Sequence, residues 1–110
     1  MNDIFSKESL QELAGDCYKD MIEIYLSKSG SLIEKLNKTA SDEYLALEHI
    51  GHSIKGSAAQ ICAVTLNEVA AELERAAKNS DLAKLELLSE TIKDEYDKLI
   101  ETLKQELDTK

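Results

Sequence analysis

Residues 42–61 read DEYLALEHIGHSIKGSAAQI. Placed on a helix at about 100° per residue with Ile50 at zero, Ile54, Ser57 and Ile61 fall within about 40° of it, and Ala46 and Leu47 flank them within about 60°. That apolar stripe predicts a helix turned toward a core. The opposite face is not the usual charged surface. His52 lies there at about 200°, with Glu48 at about 160°, Ala59 at about 180°, Leu45 at about 220° and Gly56 at about 240°. Lys55 follows His52 by one turn. A glycine inside a helix costs roughly 0.5–1 kcal/mol relative to alanine, so Gly56 reads as clearance for another object approaching the imidazole. A lone exposed histidine is an ordinary surface residue. With a lysine and a glycine one turn away it becomes a candidate nucleophile presented to a partner.

The flanking sequence predicts more helices. Upstream, Ile22, Leu26, Ser29, Ile33 and Leu36 keep a helical period through Ser27-Lys28-Ser29-Gly30-Ser31, which predicts one long helix near 16–37 carrying a weak point. A short helix near 6–14 precedes it. Ser41 is expected to cap a helix over 42–61, with Asp42 and Glu43 in its first turn. Downstream, Thr65-Leu66-Asn67-Glu68 fits a capping box for a helix near 65–79, with Leu66, Val69, Ala70, Leu73, Ala76 and Ala77 at core spacing. Asn79-Ser80-Asp81 closes it and caps a last helix near 81–107, built on Leu85, Leu88, Ile92, Tyr96, Leu99 and Leu103. Short connections make successive helices antiparallel. The expected fold is all-α: one domain over 1–110, an up-down-up-down four-helix bundle with a short extra N-terminal helix.

Composition agrees. The chain has no proline and four glycines, too few for the turns of an all-β domain of 110 residues. Its 22 Asp and Glu against 13 Lys and Arg give a net charge of -9, the wrong sign for duplex nucleic acid or an anionic membrane surface. No apolar run is long enough to span a bilayer. The first residues, MNDIFSKESLQEL, lack the basic start and apolar stretch of a signal peptide. Cys17 and Cys62 suggest neither a metal motif nor a redox pair, so two reduced thiols in a cytoplasmic protein are expected.

His52-Ser53-Ile54-Lys55-Gly56-Ser57-Ala58-Ala59 resembles the His-x-x-Lys-Gly-Ser/Ala signature of histidine-containing phosphotransfer (HPt) domains. Leu66 and Leu73-Glu74 stand where that family has its Leu and Leu-Glu, and Tyr25 where it often has Phe. The resemblance covers about residues 10–105. It implies a carrier that shuttles a phosphoryl group between receiver-domain aspartates as phosphohistidine, without kinase activity of its own. His52 would be the phosphoacceptor, Lys55 would offset the added charge and Gly56 would give steric access. The implied partners are response-regulator receiver domains and a hybrid histidine kinase. No cofactor is expected on this chain; Mg²⁺ would sit on the receiver. Two positions depart from the family. Ile61-Cys62-Ala63 replaces Ile-Gly-Ala, and since a positive φ would strain a cysteine, the turn is expected to be built differently. Gly51 stands where alanine is commoner, a change expected to be harmless.

A neutral imidazole nitrogen is a nucleophile without a second base in the chain, and positioning and charge come mostly from the partner. Around it, Glu74 is a candidate to orient the ring through Nδ1–H, with Arg75 and Lys78 beside it and Lys78 able to meet acidic groups on a receiver; plain helix-surface charge is the alternative. Gln60 is a candidate rim hydrogen-bond donor, and Leu45, Glu48 and Ala59 complete the candidate docking face. Lys55 could instead simply pair with Glu48. Cys17, Met21 and Ile24 form a second apolar strip, which either joins that face or, as expected here, lies under Phe5, Leu10 and Leu13 of the first helix. His49 lacks the lysine and glycine context and reads as surface. Two histidines at i, i+3 facing outward are not a closed metal ligand set, so no metal is expected. Competing functions are a non-phosphorylated helical adaptor using the same face, and a phosphoacceptor domain excised from a larger hybrid or chemotaxis kinase. The chain itself has no glycine-rich ATP-binding box. Because the bundle consumes its apolar faces internally, a monomer is expected.

Overall fold

The computed structural model describes residues 4–108. Its helices are α1 (Lys7–Ala14), α2 (Tyr18–Lys28), α3 (Gly30–Lys38), α4 (Tyr44–Gln60), α5 (Val64–Lys78) and α6 (Leu82–Asp108), with a 3₁₀ turn at Gly15–Cys17. Ser29 separates α2 from α3 yet stays in the right-handed helical region, so the pair forms one interrupted rod. Ser29 is a buried polar residue of the core, and its Oγ shares a 2.7 Å hydrogen bond with the Tyr96 hydroxyl of α6. The weak point in the sequence is thus a real break whose polar group is satisfied.

Four rods result: α2–α3, α4, α5 and α6. They form the antiparallel bundle, 45 Å long and about 20 Å across, a length set by the 27 residues of α6 at 1.5 Å each. Leu85, Ile92, Leu99 and Leu103 of α6 are fully buried, as are Ile22 of α2, Leu47, Ile54 and Ala58 of α4, and Leu66, Ala70 and Leu73 of α5. α1 is the extra helix. Ser6 caps it by accepting from the Ser9 amide, Phe5 and Leu10 enter the core, and Lys7 reaches Glu106 of α6 at 3.1 Å. The Tyr18 hydroxyl donates to the same carboxylate at 3.2 Å.

Several local expectations are corrected. Ser41 does not cap α4. It lies in a turn closed by Glu43 N–H donating to Ala40, and α4 starts at Tyr44 with no side-chain cap. The capping box at Thr65 is not formed either, because α5 starts one residue earlier, at Val64, after Ala63. Asp81 does cap α6, accepting from the Lys84 amide at 3.3 Å.

The ends of α4 and α5 are built alike. Cys62 N–H donates to Ala59 and Ala63 N–H to Ala58; Ser80 N–H donates to Ala77 and Asp81 N–H to Ala76. Both are Schellman closures, which need a left-handed residue just past the helix. Cys62 (φ 59°) and Ser80 (φ 52°) supply it. The turn after α4 is therefore not rebuilt to spare the cysteine; the cysteine adopts the positive φ.

Candidate functional site

The buried face of α4 is broader than the stripe in the sequence. Gly51 and Ala58 are buried along with Leu47, Ile50 and Ile54, and Ile50 keeps more exposure than Leu47, Ile54 or Ala58. The face is rotated toward α5, whose backbone comes in against Gly51: a Cβ at residue 51 would lie 3.0 Å from the Glu74 nitrogen. Gly51 is thus a tight helix contact, not an idle replacement for alanine.

This approach places α5 side chains at the edge of the outward face. The His52 side chain is 70% exposed, and its Nδ1 lies 3.2 Å from Glu74 Oε2, while Glu74 is only 12% exposed. Lys55 Nζ donates to Glu74 Oε1 at 2.6 Å, so its partner is Glu74 rather than Glu48. Lys78 Nζ lies 3.8 Å from Glu74 Oε2. Hydrogen bonding from Lys55 is the main cause that holds the Glu74 carboxyl below its ordinary range; partial burial opposes it, and the His52 contact and the charges of Lys55 and Lys78 assist. Arg75 lies outside these contacts but lines a shallow hollow of about 220 Å³ with Lys55, Ala71, Glu74 and Lys78. A basic rim therefore surrounds one carboxylate on a chain that is acidic as a whole.

An ionised carboxylate only accepts hydrogen bonds. Facing Glu74, Nδ1 of a neutral ring carries the proton and Nε2 keeps its lone pair.

The other candidates fall around this centre. A Cβ at Gly56 would meet nothing within 4 Å. Leu45, Ala59 and Gln60 are exposed and Glu48 is half-buried. Glu48 and His49 share a hollow with His52, Ser53 and Glu74. Sequence reading missed Asn67, which donates from Nδ2 to the Lys55 carbonyl at 2.8 Å, tying α5 to α4. The signal was its spacing, since Asn67 and Glu74 are two turns apart and share one face. Cys17 and Ile24 are not covered by α1. Cys17 is exposed, Ile24 is 54% exposed and Leu13 is turned to solvent. Met21, Ile24, Tyr25, Leu32 and Ile61 instead line a groove of about 480 Å³ whose rim includes Ser57 and Gln60, beside the α4 face. Among the described residues, no group of three or more His, Cys, Asp or Glu is placed to hold a metal ion, and no helix is long and apolar enough to cross a membrane.

An all-α bundle that displays a histidine beside a lysine and a carboxylate belongs to a known class. The Hpt domain family matches residues 20–109, most of the chain, and the chain is a member of it. It is similar along nearly its whole length to histidine-containing phosphotransfer protein B (HptB) of Pseudomonas aeruginosa PAO1, whose crystal structure superposes with a TM-score of 0.84 at 27% identity, covering 96% of this chain and 95% of that one. No curated protein matches. The chain is accordingly a histidine-containing phosphotransfer protein of two-component signalling.

Proposed function

We propose that the chain is a phosphorelay intermediate that accepts a phosphoryl group on His52 Nε2 from a receiver aspartate and passes it to another receiver. The observation that carries this reading is the pairing of an exposed His52 ring with Glu74 at Nδ1. Nε2 forms the N–P bond as the P–O bond to the receiver aspartate breaks, and the aspartate leaves with the electron pair as a carboxylate. The ring becomes a phospho-imidazolium that keeps its Nδ1 proton, and Glu74 faces that positive charge. Lys55, one turn along, can exchange Glu74 for the phosphoryl oxygens as a point charge. Onward transfer reverses these steps on a second receiver. Catalysis is mainly positioning and electrostatics, with Mg²⁺ held by the receiver.

Docking would use the open surface at Gly56, Ala59 and Gln60, the apolar groove at Met21, Ile24 and Leu32, and Leu45 and Glu48 on the other flank. Lys78 and Arg75 would face the acidic pocket of the receiver. We place this monomeric carrier in the cytoplasm, between a hybrid kinase and a response regulator. The test is incubation of the purified chain with a phosphorylated receiver. Acid-labile, base-stable phosphate should appear on the wild type and be absent from His52→Gln; a chain that binds receivers yet never takes up phosphate is an adaptor instead.

A further inference from the structure

Gly51 stands where a methyl group would crowd α5. A Cβ there would lie 3.0 Å from the Glu74 nitrogen, 3.2 Å from the Ala70 carbonyl oxygen and 3.3 Å from the Glu74 Cα. These are backbone atoms and cannot swing aside. α5 therefore lies this close to α4 because residue 51 has no side chain. The chain neighbour of Gly51 is His52, and the residue it touches is Glu74.

The two contacts of Glu74 differ in slack. The His52 contact, at 3.2 Å, is already at the long end of the N–H···O range. The Lys55 contact, at 2.6 Å, is made by a flexible four-carbon stem that can follow its partner. A shift of α5 by a few tenths of an ångström would break the first and spare the second.

We infer that Gly51 is a positioning residue: by admitting the α5 backbone against α4 it sets the distance of Glu74 from the imidazole, and so fixes which ring nitrogen of His52 is free to react. The inference rests on His52 being the phosphoacceptor only for its effect on rate; the tautomer itself can be read on the isolated protein.

The experiment compares wild type, Gly51→Ala, Glu74→Asp and Glu74→Gln labelled with ¹⁵N-histidine, at a pH where the rings are neutral. In the wild type the His52 signals should show the Nδ1–H form predominating. In all three variants they should move toward the mixture of free imidazole, with the His49 signals unchanged. Glu74→Asp withdraws the carboxylate by one methylene without touching the helix contact, so it tests the same distance if Gly51→Ala does not fold. Transfer from a phosphorylated receiver should fall by about 3- to 10-fold in Gly51→Ala, since misplacement by 1 Å can cost on the order of 100-fold. A folded Gly51→Ala with the wild-type tautomer ratio would overturn the inference, as would a wild-type ratio in Glu74→Asp. A wild type that shows the Nδ1–H form but takes no phosphate would sink the phosphotransfer reading and leave the Gly51 inference standing.

Discussion

Two glycines five residues apart on α4 do opposite things. A side chain at Gly56 would enter open space, whereas one at Gly51 would strike the α5 backbone. Gly56 keeps the outside of the helix clear, and Gly51 keeps the inside thin. Between them lies His52, on the outer face but in contact with Glu74, which the inner face brings in. A side chain on the open face of the helix thus meets a carboxylate that the packed face holds in place.

The strongest break of this comparison is at the histidine. His52→Gln should abolish phosphoryl acceptance and leave the melting curve unchanged, because the ring is largely exposed. His49→Gln, on the same surface, should accept phosphate at close to the wild-type rate. A dead His49 variant with an active His52 variant would move the site by one turn.

One substitution at both glycines comes next. Gly51→Gln buries an amide against backbone with no room for it. Overpacking costs about 1–3 kcal/mol and an unsatisfied buried polar group about as much again, so a loss of about 3 kcal/mol or more is expected in denaturant melts. Gly56→Gln should fold at least as stably as the wild type yet slow transfer from a receiver by obstructing approach, while labelling by a small donor such as phosphoramidate is much less affected. Gly56→Ala should gain up to roughly 1 kcal/mol from helix propensity. At Gly51 the contact should cancel that gain.

Glu74 links the two faces and carries a pH signature. Its carboxyl titrates below the ordinary range in the folded protein, chiefly through the Lys55 hydrogen bond. A depressed carboxylate contributes stability that is present above its unfolded pKa and lost as pH falls through its folded pKa. The stability gap between wild type and Glu74→Gln should therefore be full at neutral pH and close in acid, below the ordinary carboxylate range. A gap that stays constant with pH would mean that Glu74 acts through packing alone.

The sequence revealed the outer face better than the inner one. Phase alone put His52, Gly56, Ala59 and Leu45 outward, because exposure on a helix follows from 3.6 periodicity. It could not reveal that Gly51 and Ala58 are buried, because small residues carry no hydrophobic signal and their burial depends on which neighbour packs there. For the same reason a stripe phased on Ile50 is centred too far from α5. Capping patterns mislead where a good capping residue lies near the boundary: Ser41 and Thr65 fit the pattern, but the turns at residues 41–42 and 61–62 place the first helical residues at Tyr44 and Val64. Asp81 was legible because its connection is short enough to leave one choice.

The smallest expected effects lie at the two left-handed residues. The left-handed conformation costs a non-glycine residue roughly 1–2 kcal/mol, and glycine loses roughly 0.5–1 kcal/mol more conformational freedom on folding. Ser80 is exposed, so Ser80→Gly gives up no packing and should gain about 0.5–1 kcal/mol by the difference of those terms. Cys62 is half-buried against the core, and burial pushes its thiol pKa up. Cys62→Gly removes that contact and should come out near zero, and the thiol should react with maleimide more slowly than exposed Cys17. Receiver transfer should be unchanged in both variants, since neither residue touches His52, Lys55 or Glu74. If Cys62→Gly instead gained more than Ser80→Gly, the sulfur would contribute no packing, and the turn after α4 would be as free of its neighbours as the turn after α5.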